Sequence, residues 1–486
     1  MKPQLLTLLL SLQLCGLSLS ASDFTVRVAG RMLETHDVLV DEVVNARHHT
    51  ETSCFSLLVS DFLEPQQVEV VWHKATAETP LQSVRIRPLS CGIEPVIVND
   101  STLRFTLSEP RDLSIEVNGD IYHNLQLFAS RPIRPDVKMP KASKRGLDLK
   151  APVVVFPRGR HELPDGVMKA RSGQTIILQE GAWVVGSIVC EQVRDVRVMG
   201  RGVIRPEGRG PGVHIRHSRN VLVEGIVTTQ VPTGGSDSVT IEGVRCITHY
   251  GWGDGLNIFA SNHVTLRRCF CRTSDDCMTV YATRAGYYGG CHDILVEDCT
   301  FWADVAHPIM IGIHGAASYE AENHRRDPRK IGDDDVIRDT IRNCVFRNLD
   351  ILEHNEHQVD YQGCMAIICG DNNVIEDITF DRIRVDRIRQ GALLALRIFQ
   401  NQKYCQAPGQ SISRVLFRDV QFAGGGELSI IEGYDKERCV SDVRFENLTV
   451  EGVKITDTMP TKPSWYKTTD MCRMLLGSFV ENLSFQ

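Results

Sequence analysis

The chain has 486 residues, 42% of them hydrophobic and 24% charged, with a formal net charge of −7. That length is too great for one small core and implies two domains or one of repetitive architecture. The mildly acidic balance lacks the basic stripe that nucleic-acid binding requires, and past the N-terminus no apolar run approaches the roughly 18 residues of a membrane-spanning helix.

Met1-Lys2 precedes "LLTLLLSLQLCGLSL", and Ser18, Ser20, Ala21 and Ser22 then offer small residues for cleavage. Residues 1–22 therefore read as a secretory signal peptide, which predicts a secreted or periplasmic protein. Gln13 and Leu14, just before Cys15, are not the small residues of a lipoprotein signal. Over 23–130, short alternating runs ("FTVRVAG", "QVEVVWH", "LSIEVNG") are separated by turn residues, predicting a small antiparallel β-sandwich. Residues 131–148, rich in Pro and Lys, read as a linker.

From Val196 a phrase recurs: apolar, x, apolar, x, x, small or apolar, x, apolar. Nine copies are read: "VRVMGRGV", "VLVEGIVT", "VTIEGVRC", "VTLRRCFC", "ILVEDCTF", "DTIRNCVF", "NVIEDITF", "VLFRDVQF" and "VRFENLTV". Thr228 and Cys246, which end two of them, are only 18 residues apart, too close for propeller blades of about 40 residues. Strand-and-turn coils of that size predict an all-β chain whose residues 149–455 form a right-handed parallel β-helix. Residues 456–486 show no clear phrase and are expected to cap its open end. Fifteen cysteines follow the leader, none with CxxC spacing. Position six of the phrase is Cys269, Cys299 and Cys344, predicting a buried thiol ladder, with one or two disulfides left open.

Asp254-x-Leu256-x-Ile258 and Asp276-x-Met278-x-Val280 share one frame 22 residues apart, one minimal coil, and His307-x-Ile309-x-Ile311 repeats it. Asp254 and Asp276 should stack on adjacent coils about 5 Å apart, with Asp275 beside them. Unpaired buried carboxylates are costly, so Gly253 and Gly255 are expected to bend the backbone and open both acids into a lateral groove. Asn257, Thr279, Met310 and Arg397, one step out of phase with the core, would line its floor. Three crowded carboxylates push at least one pKa up. Asp275 then suits a general acid, and Asp254 with Asp276 would activate a water for inverting glycosidic cleavage. His307 would tune the acid or hold a substrate hydroxyl. Clustered carboxylates also suit Ca²⁺, but no metal or cofactor is assigned, and Asp333 to Asp335 read as a solvated turn.

These residues resemble the polygalacturonase-like glycoside hydrolases of family 28 and the related family 49 dextranase group. Gly253-Asp254-Gly255 is similar to the family's Asn-Thr-Asp-Gly, and Ser274-Asp275-Asp276-Cys277 to its Gln-Asp-Asp-Cys. The resemblance, over roughly 150 to 455, implies a β-helix that cleaves polysaccharides with inversion, Asp275 donating the proton and Asp254 and Asp276 activating water. Its Gly-His-Gly motif has an echo in Ile313-His314-Gly315, so the site histidine is His307 or His314. The Arg-Ile-Lys motif that reads galacturonate is met only by Arg397-Ile398-Phe399, which weakens pectin as substrate. The sandwich and "HPIMIG" resemble family 49, whose members cut neutral α-glucans. "NHRRDPRK" reads as a surface loop of mixed charge.

Two other readings stand beside hydrolysis: a polysaccharide lyase on the same solenoid, and a non-catalytic carbohydrate-binding solenoid. Trp252, Tyr281, Tyr287, Tyr288, Trp302 and Tyr361 fit sugar stacking under all three. Inserts after Phe301 and Phe346 suggest a groove walled at one end and exo action. A polysaccharide or oligosaccharide is the expected partner; the sugar, linkage and oligomeric state stay open.

Overall fold

A computed structural model describes residues 22–44, 47–139, 147–315, 337–401 and 403–486. The expected leader up to residue 21, "NHRRDPRK" and Asp333 to Asp335 lie outside the described residues, as do residues 140–146 of the expected linker. No described helix is long and apolar enough to cross a membrane.

The N-terminal strands form two five-stranded sheets. Alternation dictates their packing: Phe24–Val28 buries Phe24, Val26 and Val28 and turns Thr25 and Arg27 outward. The sandwich is not wholly antiparallel. Asp120–Ser130 runs parallel to Arg47–Val59, because the chain builds most of the other sheet between them, the crossover that parallel neighbours require.

From Val153–Phe156 to Val480–Phe485 the chain winds into one 31-stranded sheet, a right-handed parallel β-helix. Through the middle coils each strand pairs in parallel with the third strand on: Asp237–Glu242 with Asn262–Arg267, Arg245–Ile247 with Phe270–Thr273, and Leu256–Phe259 with Met278–Tyr281. The phrase has a conformational cause. Its fifth residue is left-handed in Gly225, Gly243, Arg268, Asp298, Asn348, Arg382, Asp419 and Asn447. That bend keeps the apolar pairs on both sides of it facing inward; Gly and Asn accept it at little cost.

The same register corrects two of the nine copies. Ile294 pairs with Cys344 and Cys344 with Ile378, so the true copies are Cys344–Ile351 and Ile378–Val385. The apolar-x-apolar pair at the end of "DTIRNCVF" is the pair that begins the phrase. Cys269 and Cys299 do share a column, through Phe270 opposite Thr300, but Leu349 continues it rather than Cys344. The described cysteines are all free thiols, thirteen of them buried.

The last thirty residues do more than cap. Met474–Leu476 and Val480–Phe485 pair in parallel with the coil below. Phe485 completes a ladder in which Phe346, Phe380, Phe417, Phe445 and Phe485 stack face to face at 4.9, 4.9, 4.8 and 4.7 Å. Only the first apolar pair of the phrase, Leu483-x-Phe485, is present there.

Sandwich and solenoid meet over a buried ionic layer. Arg272 donates to Asp304 (2.8 Å), to Asn124 Oδ1 (2.7 Å) and to the Ile121 carbonyl (3.0 Å). Arg87 is held by Glu116 (2.6 Å) and Glu353 (2.9 Å). The Trp302 ring lies between the two guanidiniums, 4.4 and 4.3 Å from them. Trp302 is thus interior mortar, not a sugar platform.

Phe417→Ala should lower stability to chemical denaturation by about 3–5 kcal/mol, since the aromatic above and the one below both lose their partner. A loss under about 1 kcal/mol would mean the ladder contributes little.

Candidate active site

Register places the acids. Leu256 pairs with Met278, and Thr279 with Met310. Just ahead of these strands, Gly255 N donates to Asp276 O (2.9 Å) and Cys277 N to His307 O (2.8 Å). Asp254, Asp276 and His307 therefore occupy one column on three successive rungs. Gly253 and Gly255 have no left-handed φ; they are required by close approach. A Cβ at Gly255 would strike the Cys277 carbonyl, and one at Gly253 the Ser274 hydroxyl.

Each carboxylate has its own supports. Asp254 accepts from Asn257 Nδ2 (2.5 Å), and that amide's oxygen accepts from Thr279 Oγ1 (3.0 Å). Asp275 accepts from the backbone N–H groups of Trp252 (3.2 Å) and Asp276 (3.0 Å). Asp276 accepts from the His307 backbone N–H (3.1 Å) and ring Nδ1 (2.7 Å), and from the Tyr281 hydroxyl (3.2 Å). Asp254 and Asp275 stay partly open to solvent while Asp276 is buried.

Electrostatics separates the three acids. Burial, then the charges of Asp254 and Asp276, pushes the Asp275 carboxyl well above the usual carboxylate range. Burial, then Asp276, raises Asp254 to about 7. Burial alone would lower His307, but the adjoining Asp276 carboxylate, with Glu356 at 3.8 Å, outweighs it and holds the ring at about 9. Both ring nitrogens have acceptors, Asp276 on one side and the Tyr361 carbonyl at 2.7 Å on the other. The imidazolium is thus a fixed counter-charge to Asp276. With both protons engaged and 2% of the residue exposed, His307 has no donor left for a substrate hydroxyl, and the carboxylate it pairs with is Asp276 and not Asp275.

The other expected residues divide. Asn257 and Thr279 stand in the column beside the acids, with Met310 buried above them. His314 contacts no aspartate. Its Nε2 meets Arg284 Nη1 at 2.9 Å, its ring lies edge-on to Tyr281 at 5.0 Å, and burial, then Arg284, keeps its pKa well down. Arg397 lies three rungs above Tyr281, by way of Gly312 and Ile368, where it binds the Asp360 carbonyl (2.6 Å) and Glu432 (3.0 Å). It is about 14 Å along the solenoid from the acids and is not brought to them. Tyr281, Tyr287 and Tyr361 are buried as wall residues, whereas Trp252 is 74% exposed.

Sequence reasoning missed Glu356, Tyr281 as an Asp276 ligand, and Arg284, whose charge reaches Asp254. Tyr281 was legible as the residue one step past the inward pair Met278-x-Val280. Glu356 follows the long strand Thr340–Asn355 and carries no frame signal. A cation in the carboxylate trio would face the His307 imidazolium and the nearby Arg284, so the donor set suits Ca²⁺ poorly.

No family model matches the chain. A curated polygalacturonase from Juniperus ashei is 28% identical over 132 residues, 26% of this chain. The chain spans about a quarter (24%) of that relative's length. Among solved structures, Dex49A from Penicillium minioluteum superposes with a TM-score of 0.52 at 12% identity, covering 96% of this chain and 94% of its own. The family 28 exopolygalacturonase of Yersinia enterocolitica gives 0.43 at 14% identity, over 86% and 96%. The first of these solved structures shares the fold, and the resemblance to polygalacturonases read from the aspartate motifs is met by the sequence match.

A carboxyl whose folded pKa is raised costs stability once pH exceeds its unfolded value. Asp254→Asn should therefore stabilise the protein at pH 8, by on the order of 2 kcal/mol. The gain should shrink as pH falls from about 7 towards 4. Denaturant titrations across this range check it; a pH-independent difference would count against the raised pKa.

Proposed function

We propose that the protein is an exported inverting glycoside hydrolase acting on a polysaccharide or oligosaccharide. The observation that carries this reading is the stack of Asp254 on Asp276 with Asp275 beside them, Asp275 being the carboxyl that burial and both neighbours hold protonated. In this reading Asp275 gives its proton to the glycosidic oxygen as the bond from the anomeric carbon breaks. Asp254 and Asp276 hold a water on the opposite face and take its proton as it attacks, which inverts the anomeric centre. The His307 imidazolium compensates the charge of Asp276 and fixes its orientation. Asn257 orients Asp254, and Trp252, the exposed aromatic next to the acids, would stack on a sugar ring. The leader-like residues 1–22 support export.

A lyase would need a base beside a uronate carbon, commonly with a bound cation. Of the basic groups beside the acids, His307 has both ring nitrogens engaged and Arg284 contacts His314, which favours hydrolysis.

Reducing-end release on a panel of galacturonans and neutral α-glucans, with product configuration followed by NMR, tests the proposal. Inverted product is expected, with Asp275→Asn lowering kcat by roughly 10²–10⁴-fold at little change in KM. Retained configuration, an unsaturated product, or full activity in Asp275→Asn would each reject it.

A further inference from the structure

Beyond the strand Leu256–Phe259 the chain turns a corner into Asn262–Arg267, and there a second constellation stands on the outer surface. Asn262 pairs with Asp237 below and His292 above. The next residues in this column, Ser238, His263, Asp293 and Asn343, are all left-handed, with φ of 57, 52, 57 and 53°. The corner repeats on each coil and keeps these side chains at the surface.

His263, His292 and Asp293 each bring a donor atom to within 4.8 Å of the others. His263 Nε2 lies 3.4 Å from Asp293 Oδ2, close to the roughly 3.3 Å edge of a tetrahedron around a metal with bonds near 2 Å. His292 Nδ1 lies 2.7 Å from the same oxygen, and the two rings meet edge to face at 5.2 Å. The outer contacts are also in place. His263 Nδ1 lies 2.9 Å from Asp237 Oδ2, so it donates there and leaves the Nε2 lone pair towards Asp293. Asp237 is in turn held by the Ser238 hydroxyl at 2.6 Å and approached by Arg219 at 3.5 Å. The Asn343 amide donates to Asp293 Oδ1, which leaves Oδ2 for the imidazoles. The His292 backbone N–H donates to Asn262 Oδ1 at 3.0 Å.

We propose that His263, His292 and Asp293 form a surface site for a divalent transition-metal ion of the Zn²⁺ class, with Asp237 and Asn343 orienting its ligands. Two imidazoles and one carboxylate select Zn²⁺, Ni²⁺ or Cu²⁺ over the hard cations, which prefer oxygen alone. A carboxylate behind a ligating histidine is the arrangement that fixes its tautomer and raises its basicity. Three protein ligands leave a fourth position to water. The ligands come from two successive coils and their supports from the coils on either side, so the ion would tie the solenoid together across its rungs, outside the groove.

The test uses the full chain, stripped with chelator and titrated with Zn²⁺ against a chromophoric competitor. One equivalent should bind, at least 10-fold more weakly in His263→Ala and 10–100-fold more weakly in Asp237→Asn. His161→Ala, a surface histidine elsewhere on the solenoid, should leave it unchanged. Circular dichroism on each variant separates lost ligation from lost fold. Uptake equal in wild type and His263→Ala, or no uptake by wild type, overturns the proposal.

Discussion

In-register parallel pairing between successive coils is the constraint from which the rest follows. Once Leu256 lies on Met278 and Thr279 under Met310, the residues two or three positions ahead have no freedom about their neighbours. Asp254, Asp276 and His307 are brought together by backbone hydrogen bonds; Asp254 and Asp276 repel each other, and the His307 imidazolium offsets the charge of Asp276. A ladder of Val, Ile, Leu and Phe along the interior supplies the cohesion that holds such a column in place.

The acids are tolerated because the fold distributes their cost. Asp276 has an imidazolium, a backbone N–H and a phenol. Asp275 has two backbone donors and no cation, and Asp254 an amide together with the nearby charge of Arg284. A gradient of compensation within one small volume thus makes Asp275 hold its proton more firmly than Asp254 does. The glycines at 253 and 255 serve the same end: they let the chain approach closely beside the acids, where a Cβ would strike the Cys277 carbonyl or the Ser274 hydroxyl.

The architecture was legible in the sequence because a left-handed residue in each coil imposes the x-x gap of the phrase, and that gap survives every change of side chain. What the phrase could not fix was phase. An apolar-x-apolar pair occurs on both sides of the bend, so "DTIRNCVF" and "NVIEDITF" matched with their ends misassigned, and Cys344 was put in a column that belongs to Leu349. The acidic column was legible because Asp254, Asp276 and His307 share one frame with the core. Groups that arrive from loops, Glu356 and Arg284, share no frame with anything. Arg397 shows the reverse error: it has the right parity for the groove wall, but parity says nothing of height along the axis. Trp302 looked like a sugar platform because its neighbour across the sheet, the N-terminal sandwich, is remote in sequence.

That sandwich has a bearing on how such a molecule can change over evolutionary time. Its grip on Arg272 lies three residues before Asp275 in the chain, and Asp304, which shares that grip, lies three before His307. The rungs that hold the acids are thus bolted to the foundation, and so are the coils up to Arg389, which meets the Tyr122 hydroxyl at 2.6 Å, whereas the last coils stack on the strands beneath them. Gain or loss of coils at that far end would leave the acid column and its footing on the sandwich in place.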